Sequence, residues 1–398
     1  MANLNLKHFA KIENSDFDIQ DITVFTGKPG SGKSYIMKFH YAHIEAMSSI
    51  LNGKYKTHYA LMDSEDIDQS LLQLSRKFIN NVEINGDIEA NDYISAYEKI
   101  KTLDLNEDGF EALLKRILEN YSNKQKKALL ANDAEKFHLI FKNILRSIFL
   151  DINQINYSFE YHFDDLGLEY KNDAFEIKNL KINPNIMNAI FVETPLILEF
   201  ENFLPKERFK VPYHIDSLLE ELRGKDYTFT SEESDSFINQ FQKVTQEIID
   251  GNIVKNANDF SFKSSQNKVY SIVNASSGIK SIGLLQYLVT NKALKKGSTL
   301  FWEEPEVHLH PTWQLKMVDL FIELMKAGVK IVFSTHSPFM ADYLNAKAQK
   351  EKFHERVSFN LLNEKDGVVA NTILDEDNWS LLQSELMDSF EDIMWQYL

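Results

Sequence analysis

Apolar and polar positions alternate with period two near both ends of the chain and recur every three or four residues in several stretches between. "NLNLKHFAKIENSDFDIQDITVFTG", Asn3 to Gly27, alternates around turn residues. It predicts two or three strands, the last being "ITVFTG". Helical spacing follows from Ser34 to Ala46 and again over Asp66 to Phe78. Between Gly109 and Leu150 the spacing is helical again. Phe137, Ile140, Phe141, Ile144, Leu145 and Ile148 fall three or four apart and form an amphipathic stripe. Too few heptads sustain it for a coiled-coil arm, so it predicts a face packed on a core.

Alternation returns in "INYSFEYHFDD" and "FEIKNLKI", and "NAIFVETPLILEF" reads as a buried strand and a turn. Helices are predicted over Ile215–Arg223 and Ser231–Ile249, followed by three short strands in "GNIVK", "FSFKS" and "KVYSIV". A helix from Gly278, a strand at Leu300–Trp302, a helix from Thr312 and a strand in "VKIVFSTHS" complete the pattern. Strands alternating with helices on both sides of a long middle section predict an α/β core interrupted by an insertion.

Composition narrows the function classes. Lys and Arg number 43 against 59 Asp and Glu, a formal net charge of −16 with six arginines. That balance argues against a surface coated for nucleic-acid binding. With no cysteine, disulfides and thiolate metal sites are excluded. No apolar run of membrane-spanning length is present, and "MANLNLKHFAKIENSDFD" lacks the basic-then-apolar order of a signal peptide, so a cytoplasmic location is expected. The lysine-rich pieces "NKQKKALL" and "KALKKGS" are short and read as solvated faces.

"GKPGSGKS", Gly27 to Ser34, satisfies every fixed position of G-x-x-x-x-G-K-[ST], between a predicted strand and a predicted helix. Gly27, Gly30 and Gly32 let the backbone curl so that its N–H groups converge on phosphate oxygens. Lys28, Pro29 and Ser31 fill the remaining loop positions. The helix start adds unpaired donors and the positive end of its dipole. Lys33 is expected on the β- and γ-phosphates and the Ser34 hydroxyl on Mg²⁺. The loop therefore predicts ATP and Mg²⁺ as cofactors.

A second set of residues lies near the other end of the chain. "NASSGIKSIGLLQYL" places Ser276, Ser277 and Gly278 at a helix start; alone, this is an ordinary N-cap. "STLFWEE" is an apolar strand ending in Glu303 and Glu304. A carboxylate at such a tip can hold Mg²⁺, and the next can deprotonate an attacking water. Without the phosphate loop, the two would read as solvated carboxylates closing a strand. "VKIVFSTHSP" brings His336 to the end of another strand, where it could hydrogen-bond a phosphate or the water. His308 and His310 have a spacing that could chelate a transition metal from one face of a strand. Pro305 and Pro311 instead put them in a connecting loop, and no other ligand cluster lies nearby in sequence.

Together "GKPGSGKS", "ASSGIKS", "EEPEVHLHP" and "STHSP" resemble the motif set of the ABC-type ATPases, and most closely the SMC-like branch that includes the OLD (overcoming lysogenization defect) ATPases. The resemblance covers roughly residues 1–60 and 245–398 and implies an α/β fold: an ABC-type P-loop ATPase head with a mixed core sheet, flanking helices and an antiparallel β subdomain. Residues 61–244 form a largely helical, mixed insertion on this reading. It also implies that Gly27 to Ser34 bind ATP and Mg²⁺, and that Glu303 takes the metal position usually held by aspartate. Glu304 becomes the general base and His336 the switch histidine. Ser276, Ser277 and Gly278 would act in trans on ATP held by a second copy, making the protein a homodimer or a higher even-numbered oligomer. Pro29 stands where the family usually has Asn, and Ser-Ser-Gly-Ile replaces Ser-Gly-Gly-Gln, departures that put fast hydrolysis in doubt.

The segment after His336 is short for a Toprim nuclease and lacks its acidic clusters. The preferred reading is an ATPase that regulates a separately encoded effector, a nuclease or toxin, in anti-phage defence. Two alternatives stay open: an ATPase that clamps DNA directly, and a nucleotide-gated scaffold with little hydrolysis.

Overall fold

A computed structural model of the chain describes residues 2–52, 119, 131–149, 152, 155–164, 166–172, 174–200, 211–223, 232–256, 259–307 and 309–386. The helix expected over Asp66 to Phe78 lies outside them. The chain divides into two compact units, residues 1–45 with 146–398, and residues 46–145.

In the larger unit the elements run β1 (Ala2–Phe9), β2 (Ile12–Ile19), β3 (Ile22–Gly27) and α1 (Lys33–Leu51), with α1 continuing into the smaller unit. After α2 (Asp133–Phe149) come β4 (Ser158–Phe163), β5 (Leu166–Lys171), β6 (Ala174–Lys178) and β7 (Ala189–Val192). Then follow α3 (Ile197–Phe200), α4 (Tyr213–Arg223), α5 (Glu232–Ile249), β8 (Gly251–Lys255), β9 (Phe260–Ser264) and β10 (Val269–Ser271). The last part holds α6 (Ser277–Thr290), β11 (Thr299–Glu303), α7 (Pro311–Lys326), β12 (Lys330–Thr335), α8 (Pro338–Lys350), β13 (Val357–Lys365) and β14 (Val368–Ile373).

Eleven of these strands form one mixed sheet in the order β6-β5-β4-β1-β2-β14-β13-β3-β12-β11-β7. From β13 to β7 all neighbours are parallel. Beyond β2, strands β1, β4, β5 and β6 pair antiparallel. A second, three-stranded antiparallel sheet has the order β10-β9-β8. Strands β4 to β7 come from within the 61–244 span, so the main sheet draws on that span as well.

The parallel strands are buried on both faces, which is why they read as continuous apolar runs. All six residues of β3 are buried. Side chains alternate between faces. Leu300 and Trp302 join Ile22, Val24 and Phe333 in a core shared with α6, α7 and α8. Trp302 lies 6.1 Å from Phe321 of α7. Phe301 turns the other way, stacked 6.0 Å from Phe191 and edge-on to Tyr41 of α1. Each such burial stabilises the fold by about 1.5–3 kcal/mol. On the antiparallel side, Phe39 of α1 meets Phe9, Phe159 and Tyr161 at 4.9 to 5.5 Å.

Sequence pattern had not assigned α8, β13 or β14. The β13–β14 hairpin turns at Asp366 and Gly367, both with positive φ (54° and 83°), the type I′ geometry that Asp-Gly favours. In the smaller unit, Phe137, Ile140, Phe141, Ile144 and Leu145 of α2 are buried, as their spacing predicts. Asn132 and Glu135 exchange hydrogen bonds of 2.9 and 3.0 Å across the start of α2, a capping box. No helix among the described residues is long and apolar enough to cross a membrane.

Candidate functional site

Four neighbouring parallel strands, β3, β12, β11 and β7, end on the same edge of the sheet. In register, Thr335 lies beside Thr26, Ser334 beside Glu303, and Trp302 beside Val192. The phosphate loop, His336, Glu303 with Glu304, and Glu193 therefore gather at the carboxyl ends of the strands, where open α/β sheets form their ligand crevice.

The loop Gly27 to Ser34 has Gly27, Gly30 and Gly32 at φ of 129°, 81° and 91°. These angles strain any residue with a Cβ. A Cβ at Gly27 would also run into the Leu362 carbonyl of β13, whereas Gly30 and Gly32 face open space with nothing within 4 Å. That open, glycine-lined concavity at the head of α1 fits a phosphate group. Lys33 is buried, its Nζ donating to the carbonyls of Gly27 and Lys28 at 2.9 Å and to Ser31 Oγ at 3.3 Å. Burial lowers its pKa to about 8, against the opposing pull of Glu304, Glu306 and Glu303.

Glu303 closes β11, and the neighbouring Ser34 side chain favours its charged form against the larger effect of burial. Its Oε1 is buried with no hydrogen-bond partner, and desolvation raises its pKa. An orphaned carboxylate oxygen beside a serine hydroxyl is a hard-oxygen pair suited to Mg²⁺. Among the described residues no cluster of three or more His, Asp or Glu could hold a metal by itself. A magnesium ion here would thus depend on phosphate oxygens, as Mg²⁺ sites commonly do.

Glu304 sits at φ 45°, in the left-handed region, although it is not glycine. Its N–H still donates to the Ser334 carbonyl at 3.1 Å, so the chain kinks while staying tied to β12. The strain costs about 1–2 kcal/mol. The Glu304 carboxylate lies 3.4 Å from His336 Nε2. Burial and the Lys33 charge lower the His336 pKa. The imidazole therefore stands beside the carboxylate, close enough to Lys33 to feel its charge.

Ser276 is the exposed N-cap of α6, its Oγ accepting from the Ile279 N–H at 3.4 Å. Among the described residues, no hydrogen bond or ion pair links Ser276, Ser277 or Gly278 to the phosphate loop. Gly278 is buried under α7: a Cβ there would come within 3.0 Å of the Trp313 ring. Lys280, also buried, pairs with Glu199 at 2.6 Å and donates to the Val273 carbonyl at 3.3 Å. These contacts fix the backbone on both sides of Ser276. His310 caps α7, accepting the Thr312 N–H at Nδ1 (3.3 Å), and Pro311 takes the first helical position. His308 lies outside the described residues.

Residues 1–341 match the family described as the AAA ATPase domain. The chain belongs to this family. A retron Vc95 probable ATPase from Vibrio cholerae serotype O1 biovar El Tor is 23% identical over 380 residues, 85% of this chain and 71% of the relative. The SMC head domain from Thermotoga maritima is similar at 11% identity and a TM-score of 0.44, covering 94% of this chain and 98% of that one. An ATP-binding cassette of an ABC transporter, in its ADP conformation, is similar at 11% identity and a TM-score of 0.34, covering 98% and 96%. The ABC-type, SMC-like head expected from the four motifs agrees with the strand order and with where the motifs fall on it.

Two residues of this ATPase domain escaped the sequence reading. Glu306 accepts the His336 N–H at 2.6 Å, so it sets the backbone that carries the histidine. Its signal was its place in "EEPE", where only the first two glutamates were given roles. Glu193, just past β7, accepts from Lys38 Nζ at 2.8 Å and from His214 Nε2 at 3.0 Å. These partners hold its pKa down to about 2. Lys38 stands one turn beyond Ser34 and also acts electrostatically on Glu303. Nothing in "FVETP" marks Glu193 without the sheet order that places β7 beside β11.

Proposed function

We propose that this ATPase domain hydrolyses ATP in sites completed between two engaged copies, and that engagement regulates a separately encoded effector. The observation that carries the reading is the contrast between the two halves of the site. Lys33, Ser34, Glu303, Glu304 and His336 converge at one edge of the sheet. Ser276 and Ser277 present hydroxyls and helix N–H groups at a surface with no bond to their own phosphate loop. Such a turn is chemically suited to an anion and is free to meet one held by another copy.

Within one copy, the N–H groups of Gly30 to Ser34 cradle the phosphates and the Lys33 ammonium balances the β- and γ-oxygens. Ser34 and Glu303 hold Mg²⁺, which when bound neutralises charge on the phosphates. Glu304 takes the proton of the attacking water, and His336, 3.4 Å from Glu304, orients it. A general base of this kind contributes about 10²–10⁴-fold.

The spelling "EEPEVHLHP" followed by "STHSP" supports the OLD branch of the family. The relative named as a retron probable ATPase supports a role for this chain in anti-phage defence, where it would act on a partner in the cytoplasm. Glu304→Gln tests the reading. It is expected to cut turnover by about 10²-fold or more while an ATP-bound dimer persists. Turnover near the wild-type rate would mean that another group is the base.

A further inference from the structure

The chain carries 59 acidic residues, yet from Phe260 to Trp302 there is not one Asp or Glu. The same stretch holds Lys263, Lys268, Lys280, Lys292, Lys295 and Lys296. Its first part is the β9–β10 hairpin, which leads through a short 3₁₀ turn, Ile272–Asn274, directly to Ser276. β10 is an edge strand pairing only with β9, and all three of its residues are exposed. Val269 is 59% exposed, Tyr270 46% and Val273 42%. Lys263 and Lys268 are exposed and form no ion pair among the described residues. A short edge strand bearing bare apolar side chains and unpaired lysines is surface built to be covered.

We propose that the β9–β10 hairpin is a docking surface for the nucleotide-loaded face of a second copy of this chain. The inference rests on the head-to-head reading above and adds to it the surface that drives engagement. Charge complementarity selects this occupant. Two copies at −16 each repel. The carboxyl ends of the parallel strands hold Glu193, Glu303, Glu304 and Glu306 against Lys33 and Lys38, and a bound triphosphate turns that face strongly negative. Lys263 and Lys268, exposed at the turn end of the hairpin that leads into Ser276, supply the opposite potential beside the exposed Asp250 at that turn. Engagement therefore waits for ATP, because only the loaded face outweighs the repulsion between copies. Val269, Tyr270 and Val273 are the apolar area such a contact buries.

The test uses the full chain carrying Glu304→Gln, with and without Lys263→Glu and Lys268→Glu together, followed by sedimentation in Mg²⁺ with and without ATP. Binding of a fluorescent ATP analogue is measured in parallel. The double reversal is expected to weaken ATP-dependent dimerisation by about tenfold or more and to flatten its salt dependence, with analogue binding unchanged. Unchanged dimerisation would overturn the hairpin's role and leave the head-to-head reading standing. If the Glu304→Gln chain with its native hairpin does not dimerise in ATP, both fall. Salt-sensitive binding of a single-stranded oligonucleotide that the reversal abolishes, with dimerisation untouched, would overturn the proposal in favour of a nucleic-acid surface.

Discussion

The helix that begins at the phosphate loop is pinned further along by a buried polar knot. His40 Nδ1 lies 2.9 Å and His43 Nδ1 2.8 Å from the hydroxyl of Tyr161 on β4. One hydroxyl can donate to one ring and accept from the other, an arrangement that two neutral imidazoles complete. Burial pushes His43 down to about 3, and burial, with the charges of His43 and Lys330, pushes His40 well below the usual histidine value. Both folded values are depressed, so the unfolded chain binds protons that the folded chain refuses. The stability is present above about pH 6.5 and is lost as pH falls toward the folded values. Below pH 6.5 each histidine costs about 1.4 kcal/mol per pH unit. Between pH 7 and pH 5 that amounts to about 2 kcal/mol each and about 4 kcal/mol for the pair. Urea unfolding followed by tryptophan fluorescence, with Trp302 as the buried reporter, measures it. The comparison is the wild type against His40→Gln with His43→Gln, which keeps polar partners for Tyr161 but cannot titrate. Other groups, His214 among them, cancel between the two. The wild type is expected to lose about 4 kcal/mol more than the double variant over that interval. Equal losses in the two proteins would refute the account of the knot.

Two further predictions concern residues that position the site. Lys280→Met leaves the Glu199 carboxylate half-buried without its cation and is expected to destabilise the larger unit by about 2–3 kcal/mol, with Lys280→Arg recovering part of it; thermal unfolding of the three proteins checks the order. Glu306→Ala removes the acceptor of the His336 N–H and is expected to lower kcat about tenfold while leaving the Kd for ATP within about twofold, because it touches the histidine's backbone rather than the phosphate loop; a matching loss of ATP affinity would show that Glu306 shapes the loop itself.

What the chain disclosed in advance follows its local signals. The phosphate loop was legible because its glycines, Lys33 and Ser34 answer to one chemistry at fixed spacing. The strands at Ile22–Gly27, Thr299–Glu303 and Lys330–Thr335 were legible as short apolar runs. The hairpin of β13 and β14 was missed although Asp366-Gly367 is a strong turn signal and Val357, Phe359 and Leu361 alternate with Ser358 and Asn360; the alternation breaks at Leu362, and both polar residues are buried. Glu193 was not legible at all. Its place depends on β7 pairing with β11, a contact between residues more than a hundred apart. The kink at Glu304 is a tertiary effect too, imposed where the chain leaves β11 while its N–H stays bonded to Ser334.

The central claim is that the Ser276 turn of one copy completes the phosphate site of another. The chain contains no cysteine, so single cysteines can report on it without background. Chains carrying Glu304→Gln with Lys28→Cys are mixed with chains carrying Glu304→Gln with Ser276→Cys, and the mixture is oxidised with and without ATP and Mg²⁺. Disulfides need Cα atoms within about 7 Å, so the bond reports close approach. A cross-link between the two kinds of chain that forms only with ATP is the predicted result. No cross-link with ATP present, or equal cross-linking without it, would contradict the account.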